Sequence, residues 1–355
     1  MGVPPHALSA CAWRAFSHLG VAGRRTPIDT EDVAERAGVS RATASRVVSG
    51  SHPVSERRRS AVLRAVADLR YVPNQAARSL VSRRTGSYAL VLPEGMGQVF
   101  SEGFFPTLIR GATAELEESD EQLVILLAGS AAGRRRIEQY ARGGHVDGVV
   151  LASVHDRDPL PGLLAGTGIP VVCSERSYGG LQLPYIGVDN AGGAAAAVRY
   201  LKKIGRTRIA TVAGPSSAPA GQDRLAAYLR EISRVHRRPL VAEADFTVEG
   251  GRAAAARLLA EEPRIDGLFA ASDQMALGAL DALRRAGRRV PEDVAVVGFD
   301  DVDCARLAEP ALTTVHQPIE QLGRQLVRLV QRLAAGEEAG PALVLPTALV
   351  VRDSA

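Results

Sequence analysis

The chain has 355 residues, enough for two or three domains, and 46% of them are hydrophobic, so it can build sizeable cores. Its net charge of +4 is unevenly spread: Arg24 to Arg84 holds 13 arginines against 6 acidic residues, whereas residues 85–355 are mildly acidic. This asymmetry is typical of a nucleic-acid-binding part joined to a separate regulatory part.

Other broad features exclude several classes of protein. No apolar run approaches the length of a membrane span, and the three cysteines lack the paired spacing of a zinc or redox site. We therefore expect a reduced, cytoplasmic setting and no metal. Residues 1–27 lack a clear signal peptide. We interpret them as a disordered N-terminal extension or as the product of a start codon assigned too far upstream.

Residues 28–73 are predicted to form a small helical head. Asp29, with Asp32 three residues later, predicts the N-terminus of a first helix. Gly38 suits a turn with positive φ, Val39 can fill the gap between the helices, and Ser40 can cap the second helix.

The second helix has two distinct faces. Ala44, Val47 and Val48 form its apolar side, and the opposite side is built from Arg41, Ala42, Ser45 and Arg46. A buried stripe behind a basic, small-residue face suits the major groove of DNA. The alternative is an ordinary helical hairpin with a solvated basic face, but the coincidence of turn, cap and two-faced helix favours a helix-turn-helix.

A third helix and a linker follow. Ser55 is expected to cap this helix, whose apolar positions have the i, i+3, i+4, i+7 spacing: Val62, Ala65, Val66 and Leu69. The head then ends near Tyr71. Residues 74–84 have helix-forming residues over only about two turns, too few for a stable isolated helix. They predict a hinge helix or linker that orders conditionally.

From Tyr88 onward, strands alternate with helices, which predicts parallel sheets covered on both faces. Predicted strands are Tyr88–Leu92, Leu123–Leu127, Gly148–Leu151, Val171–Cys173, Ile209–Ala213, Gly267–Ala270 and Val294–Val297. Predicted helices include Thr107–Glu118, Ala194–Lys203 and Met275–Arg285. The length of residues 85–355 favours two doubly wound lobes.

Six segments in this order resemble the LacI/GalR family of bacterial transcription regulators. They are DVAERAGVSRATASRVVSG, YVPNQAARSL, GVDNAGGAAA, ASDQMALGALDALRRAG, VPEDVAVVGFDD and PALTTVHQPIEQLG. The resemblance extends from about Asp29 to Arg352. It implies a helix-turn-helix headpiece, a hinge helix and an α/β periplasmic-binding-protein-like core that binds an effector and dimerises. It also implies a second lobe that runs from Asn190 to Phe299 and resumes after about Ile319.

The resemblance assigns DNA-binding roles by matched motif positions. Arg41, Ala42 and Arg46 match positions that read base edges. Ser40, Thr43 and Ser45 match positions near phosphates. Leu80 matches a hinge leucine that wedges into the minor groove, with Ala77 beside it. An apolar wedge unstacks a base step, and the larger protein surface that the bent DNA then touches offsets that cost.

It also implies a ligand site in the core. The matched positions are Phe104, Glu175, Arg224, Phe246, Ser272 and Asp300. Arginine–carboxylate sets with an aromatic face suit a polyhydroxylated ligand, such as a sugar. For Phe104 and Phe246, core packing is the alternative. Glu175 stands where the family more often has Asp, and Ser272 where it usually has Asn, so the effector's identity stays open.

Other classes of function fit these features less well. The sequence has no G-x-G-x-x-G, G-x-x-x-x-G-K-[ST] or G-x-S-x-G motif, so an enzyme is disfavoured and no cofactor is expected. A transport-type sugar-binding protein would have no use for the basic head. A regulator signalled by a protein partner or a non-sugar metabolite remains the alternative to our prediction of a sugar-controlled, homodimeric repressor.

Overall fold

The computed structural model describes residues 28–49, 53–72, 84–92, 103–153, 155–156, 158–176, 181–233 and 238–355. The chain divides into two compact units between Arg83 and Arg84. Among the described residues, no helix is long and apolar enough to cross a membrane. The predicted hinge positions Ala77 and Leu80, residues 1–27 and nearly all of the 74–84 linker lie outside the described residues.

The first unit is the predicted three-helix head: α1 (Thr30–Ala37), α2 (Arg41–Ser49) and α3 (Glu56–Leu69). The expected capping box is present, since the Asp29 side chain accepts from the Asp32 backbone and the Asp32 side chain accepts from the Asp29 backbone. Gly38 has φ +64°, as the turn requires. Tyr71 closes the small core, and its hydroxyl lies 2.9 Å from Thr30 Oγ1.

The expected role of Ser55 is wrong in one respect. Ser55 stands at the N-cap of α3, but its side chain makes no capping hydrogen bond. Its backbone carbonyl accepts from the amides of Arg58 and Arg59 at 2.9 and 3.0 Å instead. The start of α3 therefore depends on the backbone rather than on the serine hydroxyl.

The first lobe of the second unit contains a parallel sheet in the order β2-β1-β3-β4. Its strands and helices are β1 (Ser87–Leu92), α4 (Phe104–Glu117), β2 (Gln122–Leu127), α5 (Ala131–Arg142), β3 (Gly148–Leu151), α6 (Leu160–Ala165), β4 (Val171–Cys173) and β5 (Ile186–Val188). The strand β5 pairs in parallel with β11 (Leu343–Leu345). Both faces of β1 are buried, which explains its continuous apolar run.

The second lobe contains six strands in the order β12-β10-β9-β8-β6-β7, all parallel except β12. Its elements are α7 (Asn190–Lys203), β6 (Ile209–Ala213), α8 (Pro219–Ile232), β7 (Leu240–Glu243), α9 (Val248–Glu261), β8 (Gly267–Ala270), α10 (Asp273–Arg285), β9 (Ala295–Asp300), α11 (Asp303–Leu307), β10 (Thr313–His316) and β12 (Ala348–Val350). The short strands β5, β7, β10, β11 and β12 were not predicted from the sequence.

The expected boundary of the second lobe is wrong. The strand β10 stays in the second lobe, whereas the helix α12 (Ile319–Ala334) packs against α4 in the first lobe. Gly111 and Gly323 permit this approach, because a β-carbon at either would overlap the backbone of the facing helix. The chain returns to the second lobe only at β12, so three segments of the described chain cross between the lobes.

Candidate functional site

The exposed face of α2 carries the predicted base-reading residues. Arg41, Ala42, Ser45 and Arg46 are exposed, while Ala44 is fully buried against the head core. The Arg41 guanidinium makes only a loose ion pair with Glu31, at 3.7 Å. Both arginine forks are therefore accessible for guanine edges, to which they can donate paired hydrogen bonds.

Ser40 and Thr43 form the N-terminus of α2. The Thr43 amide donates to Ser40 Oγ at 3.3 Å, which is the predicted cap, and the two hydroxyl oxygens lie 2.9 Å apart. Ser40 is exposed and Thr43 is half-buried. Hydroxyls and free amides at a helix N-terminus suit a phosphate oxygen.

In the second unit, a narrow cleft lies between the two lobes. All six predicted ligand-binding residues line it: Phe104 and Glu175 from the first lobe, and Arg224, Phe246, Ser272 and Asp300 from the second. Most of them follow the carboxyl end of a strand or lie at the start of a helix, which is where ligands bind in open α/β sheets.

Arg224 and Asp300 form the polar floor of this cleft. Arg224 Nη1 donates to Asp300 Oδ1 at 3.3 Å and to the Ala271 carbonyl at 2.6 Å, and its Nε donates to Asn190 Oδ1 at 2.8 Å. The guanidinium also lies 3.6 Å above the centre of the Phe299 ring. Packing and hydrogen bonds therefore hold both charges in one geometry.

Burial is the largest cause of the pKa shifts of the charged residues in this part of the cleft. It raises the pKa of Asp300 to about 6, although Arg224 and Gln317 act in the opposite direction. It lowers the pKa of Arg224, against the attraction of Asp300. Behind them, burial also raises the pKa of Asp273, which accepts from the Val302 amide at 3.0 Å and from the Thr314 hydroxyl. A ligand hydroxyl that donates to Asp300 would favour its ionised form.

Three residues that line the cleft have an unusual backbone conformation. Ser153 has φ +56°, Phe246 has φ +65° and Asp300 has φ +115°, which non-glycine residues rarely adopt. Such conformations cost about 1–3 kcal/mol each and persist only where the surroundings impose them. The Phe246 ring lies against Gly214, where a β-carbon would overlap it. This ring is only partly buried, so it offers a face to the cleft rather than belonging wholly to the core.

Ser272 and Glu175 complete the predicted set. Ser272 is the N-cap of α10, and its Oγ accepts from the Met275 amide at 3.2 Å, which leaves the hydroxyl hydrogen available to a ligand. Glu175 follows β4 on the other side of the cleft. Burial raises the pKa of Glu175 to about 7, against the effect of Arg224.

Two kinds of match establish the family. A model described as bacterial regulatory proteins, lacI family, matches residues 30–74, and one described as periplasmic binding protein-like domain matches residues 198–355. The HTH-type transcriptional regulator CelR of Thermobifida fusca is 45% identical over 337 residues, covering 93% of this chain and 99% of CelR. The chain belongs to the LacI family of bacterial regulatory proteins.

Solved structures agree with this assignment. The LacI-family chain is similar to a transcriptional regulator CelR–cellobiose complex, with 43% identity, TM-score 0.74, and coverage of 92% of this chain and 100% of that one. It is also similar to a lac repressor dimer bound to operator and the anti-inducer ONPF, with 28% identity, TM-score 0.81, and coverage of 93% and 99%. The protein is thus a DNA-binding transcriptional regulator and not an enzyme.

The cleft of this LacI-family regulator also contains residues that were not predicted from the sequence. Gln317 donates to Asp300 Oδ1 at 2.6 Å, and Ser153 and Gln274 line the cleft as well. Gln317 and Asn190 stand in two of the family segments, PALTTVHQPIEQLG and GVDNAGGAAA. Both are polar residues within those segments, which is the signal that could have indicated them.

Proposed function

We propose that this protein is a homodimeric repressor whose affinity for its operator is controlled by a sugar bound in the interlobe cleft. The observation that carries the proposal is the convergence of Arg224, Asp300 and Phe246 on that cleft. Ion-paired donors and acceptors suit sugar hydroxyls, and an aromatic face suits the C–H side of a pyranose ring.

Similarity to CelR supports a choice of sugar. A CelR structure is described as a complex with cellobiose, and its sequence is 43% identical to this chain. Cellobiose, a neutral disaccharide of glucose, is therefore the first candidate effector.

The head supplies the DNA-binding half of the proposal. Arg41, Ala42 and Arg46 read base edges in the major groove, while Ser40, Thr43 and Ser45 contact phosphates. Two hinge segments, with Leu80 as a minor-groove wedge and Ala77 beside it, pack together over a pseudo-palindromic site. Because the proposed partner is operator DNA, we expect the protein to act in the cytoplasm.

Control requires only that the sugar bind one arrangement of the lobes better than the other. The hinge segments leave the core at Arg84. A change in the angle between lobes would alter the separation of the two hinges and so their pairing on DNA.

The experiment combines DNA selection with ligand titration. The full-length protein is first used to select bound sequences from a random DNA pool. Calorimetry with cellobiose follows, and operator affinity is then measured with and without the sugar. Cellobiose should bind and weaken operator binding. Absence of binding by cellobiose and other neutral sugars would contradict the effector half and favour a protein partner or a non-sugar metabolite.

A further inference from the structure

One carboxylate oxygen in the cleft lacks a hydrogen-bond donor. Glu175 Oε2 is inaccessible to solvent and has no hydrogen-bond partner among the described residues. Native proteins pair nearly all buried polar atoms, so a remaining unpaired acceptor that lines a binding cleft indicates a place for a ligand donor.

The two arginines near Glu175 are ion-paired within the protein. Across the cleft, Arg224 is paired with Asp300 at 3.3 Å. Arg176, the next residue in the chain, is paired with Asp223. Nearby, His155 Nδ1 lies 3.1 Å from Ser217 Oγ. Burial raises the pKa of Glu175 and Asp223 adds to this, whereas Arg224, a hydrogen bond from the Ala220 backbone and His155 lower it.

The charge balance of the cleft follows from these pairs. Because Arg224 and Asp300 neutralise each other, the charge left over among the described lining residues is the carboxylate of Glu175. A ligand hydroxyl can satisfy this oxygen. A ligand carboxylate or phosphate would instead bring a second negative charge into a poorly solvated space, where repulsion is strong.

We propose that Glu175 selects the effector by charge: it accepts a hydrogen bond from a neutral or cationic ligand and excludes sugar acids and sugar phosphates. This inference rests on the proposed role of the cleft as a sugar site. It narrows the effector class to polyols without an acidic group.

The test compares matched neutral and acidic sugars by calorimetry on the full-length protein at pH 8, where Glu175 is ionised. The probe pairs are cellobiose with cellobionate and glucose with glucuronate. The wild type should bind each neutral sugar at least tenfold more tightly than its acid. Glu175→Gln should reduce this ratio to below about threefold, because the amide has no charge.

Three further variants sharpen the comparison. Glu175→Ala removes the polar group altogether and should also lose the preference, so the test does not depend on how a glutamine packs. Glu175→Asp keeps the charge and should keep the preference. Glu117→Gln, an identical change at an exposed site on α4, should leave it unchanged.

The outcomes separate this inference from the proposed function. Charge selection is overturned if the wild type binds neutral and acidic sugars equally well. It is also overturned if the preference for neutral sugars survives in both Glu175→Gln and Glu175→Ala. Either result would still leave the cleft as a sugar site. If no neutral sugar binds to the wild type, the proposed function of the cleft fails and this inference fails with it.

Discussion

Gln317 Nε2 donates a hydrogen bond of 2.6 Å to Asp300 Oδ1, the oxygen that also accepts from Arg224 Nη1. Gln317 follows β10, just before the chain crosses into the first lobe as α12. At the other end of α12, the Ala334 carbonyl accepts from Arg84, the first residue of the second unit. The Asp300 carboxylate, which is predicted to bind the effector, is thus hydrogen-bonded to a segment that crosses between the lobes.

We expect Gln317→Ala to weaken effector binding without changing operator affinity in the absence of the effector. Loss of the donor leaves a buried Asp300 oxygen less well satisfied, which costs the protein about 1–3 kcal/mol of stability, and the carboxylate is no longer held in place for the ligand. Asp300→Asn should abolish the response of operator binding to the effector. Calorimetry and operator titration measure both. Gln321→Ala, at an exposed position of α12, is the control, and normal binding by both cleft variants would place the site elsewhere.

Arg41→Ala and Arg46→Ala should each relax the preference for particular bases of the operator. Loss of a bidentate arginine–guanine contact costs about 1–3 kcal/mol at the affected position. Repeating the DNA selection with each variant measures this. Arg36→Ala is the control, because Arg36 is paired with Asp68 at 2.7 Å. Unchanged preference at every position in both test variants would refute the assigned recognition face.

Leu80→Ala should sharply reduce specific binding to the operator but leave salt-sensitive, non-specific DNA binding unchanged. The Leu80 side chain acts only where it kinks a base step, whereas the arginines of the head interact with the phosphates of any DNA. The measurement is the ratio of specific to non-specific affinity at one salt concentration. If the ratio is unchanged and the variant bends the operator as the wild type does, the hinge mechanism is excluded.

Gly214→Ala should weaken effector binding, because the new β-carbon would overlap the Phe246 ring and force it to move. Loss of an aromatic stacking contact costs about 0.5–1.5 kcal/mol. The matched control is Gly162→Ala in α6, where a β-carbon meets no atom within 4 Å. That change should leave binding intact and raise stability by about 0.5–1 kcal/mol. Equal effector affinities for the two variants would contradict a ligand-facing role of Phe246.

Glu175→Gln should become more stable relative to the wild type as the pH rises from 5 to 8. Burial raises the pKa of Glu175 to about 7 in the folded protein, so the unfolded chain ionises first. The wild type therefore loses stability between the unfolded and folded pKa values. Thermal unfolding at several pH values gives the difference in Tm. A difference that does not vary with pH would show that Glu175 titrates normally.

Short-range patterns in the sequence were sufficient to predict much of the fold. The capping pair Asp29 and Asp32, the turn at Gly38 and the two faces of α2 follow from side-chain chemistry within a few residues. The strands Gly148–Leu151 and Gly267–Ala270 were predicted to the residue, because both are buried on two faces and read as continuous apolar runs. The strands β11 and β12 depend on pairing with β5 and β10, which are contributed by other parts of the chain, and no local pattern shows such pairing.

The sequence by itself determined the helix-turn-helix, because a local motif with its own spacing carries it, and the resemblance to the LacI family supplied six of the residues that line the cleft. Only the tertiary structure decided that α12 belongs to the first lobe, since its apolar face could be buried by either lobe and the close approach at Gly111 and Gly323 selects α4. Likewise, the pairing of Gln317 with Asp300, and the burial of Glu175 Oε2 without a partner among the described residues, depend on segments that are not adjacent in sequence. No local pattern encodes those distances.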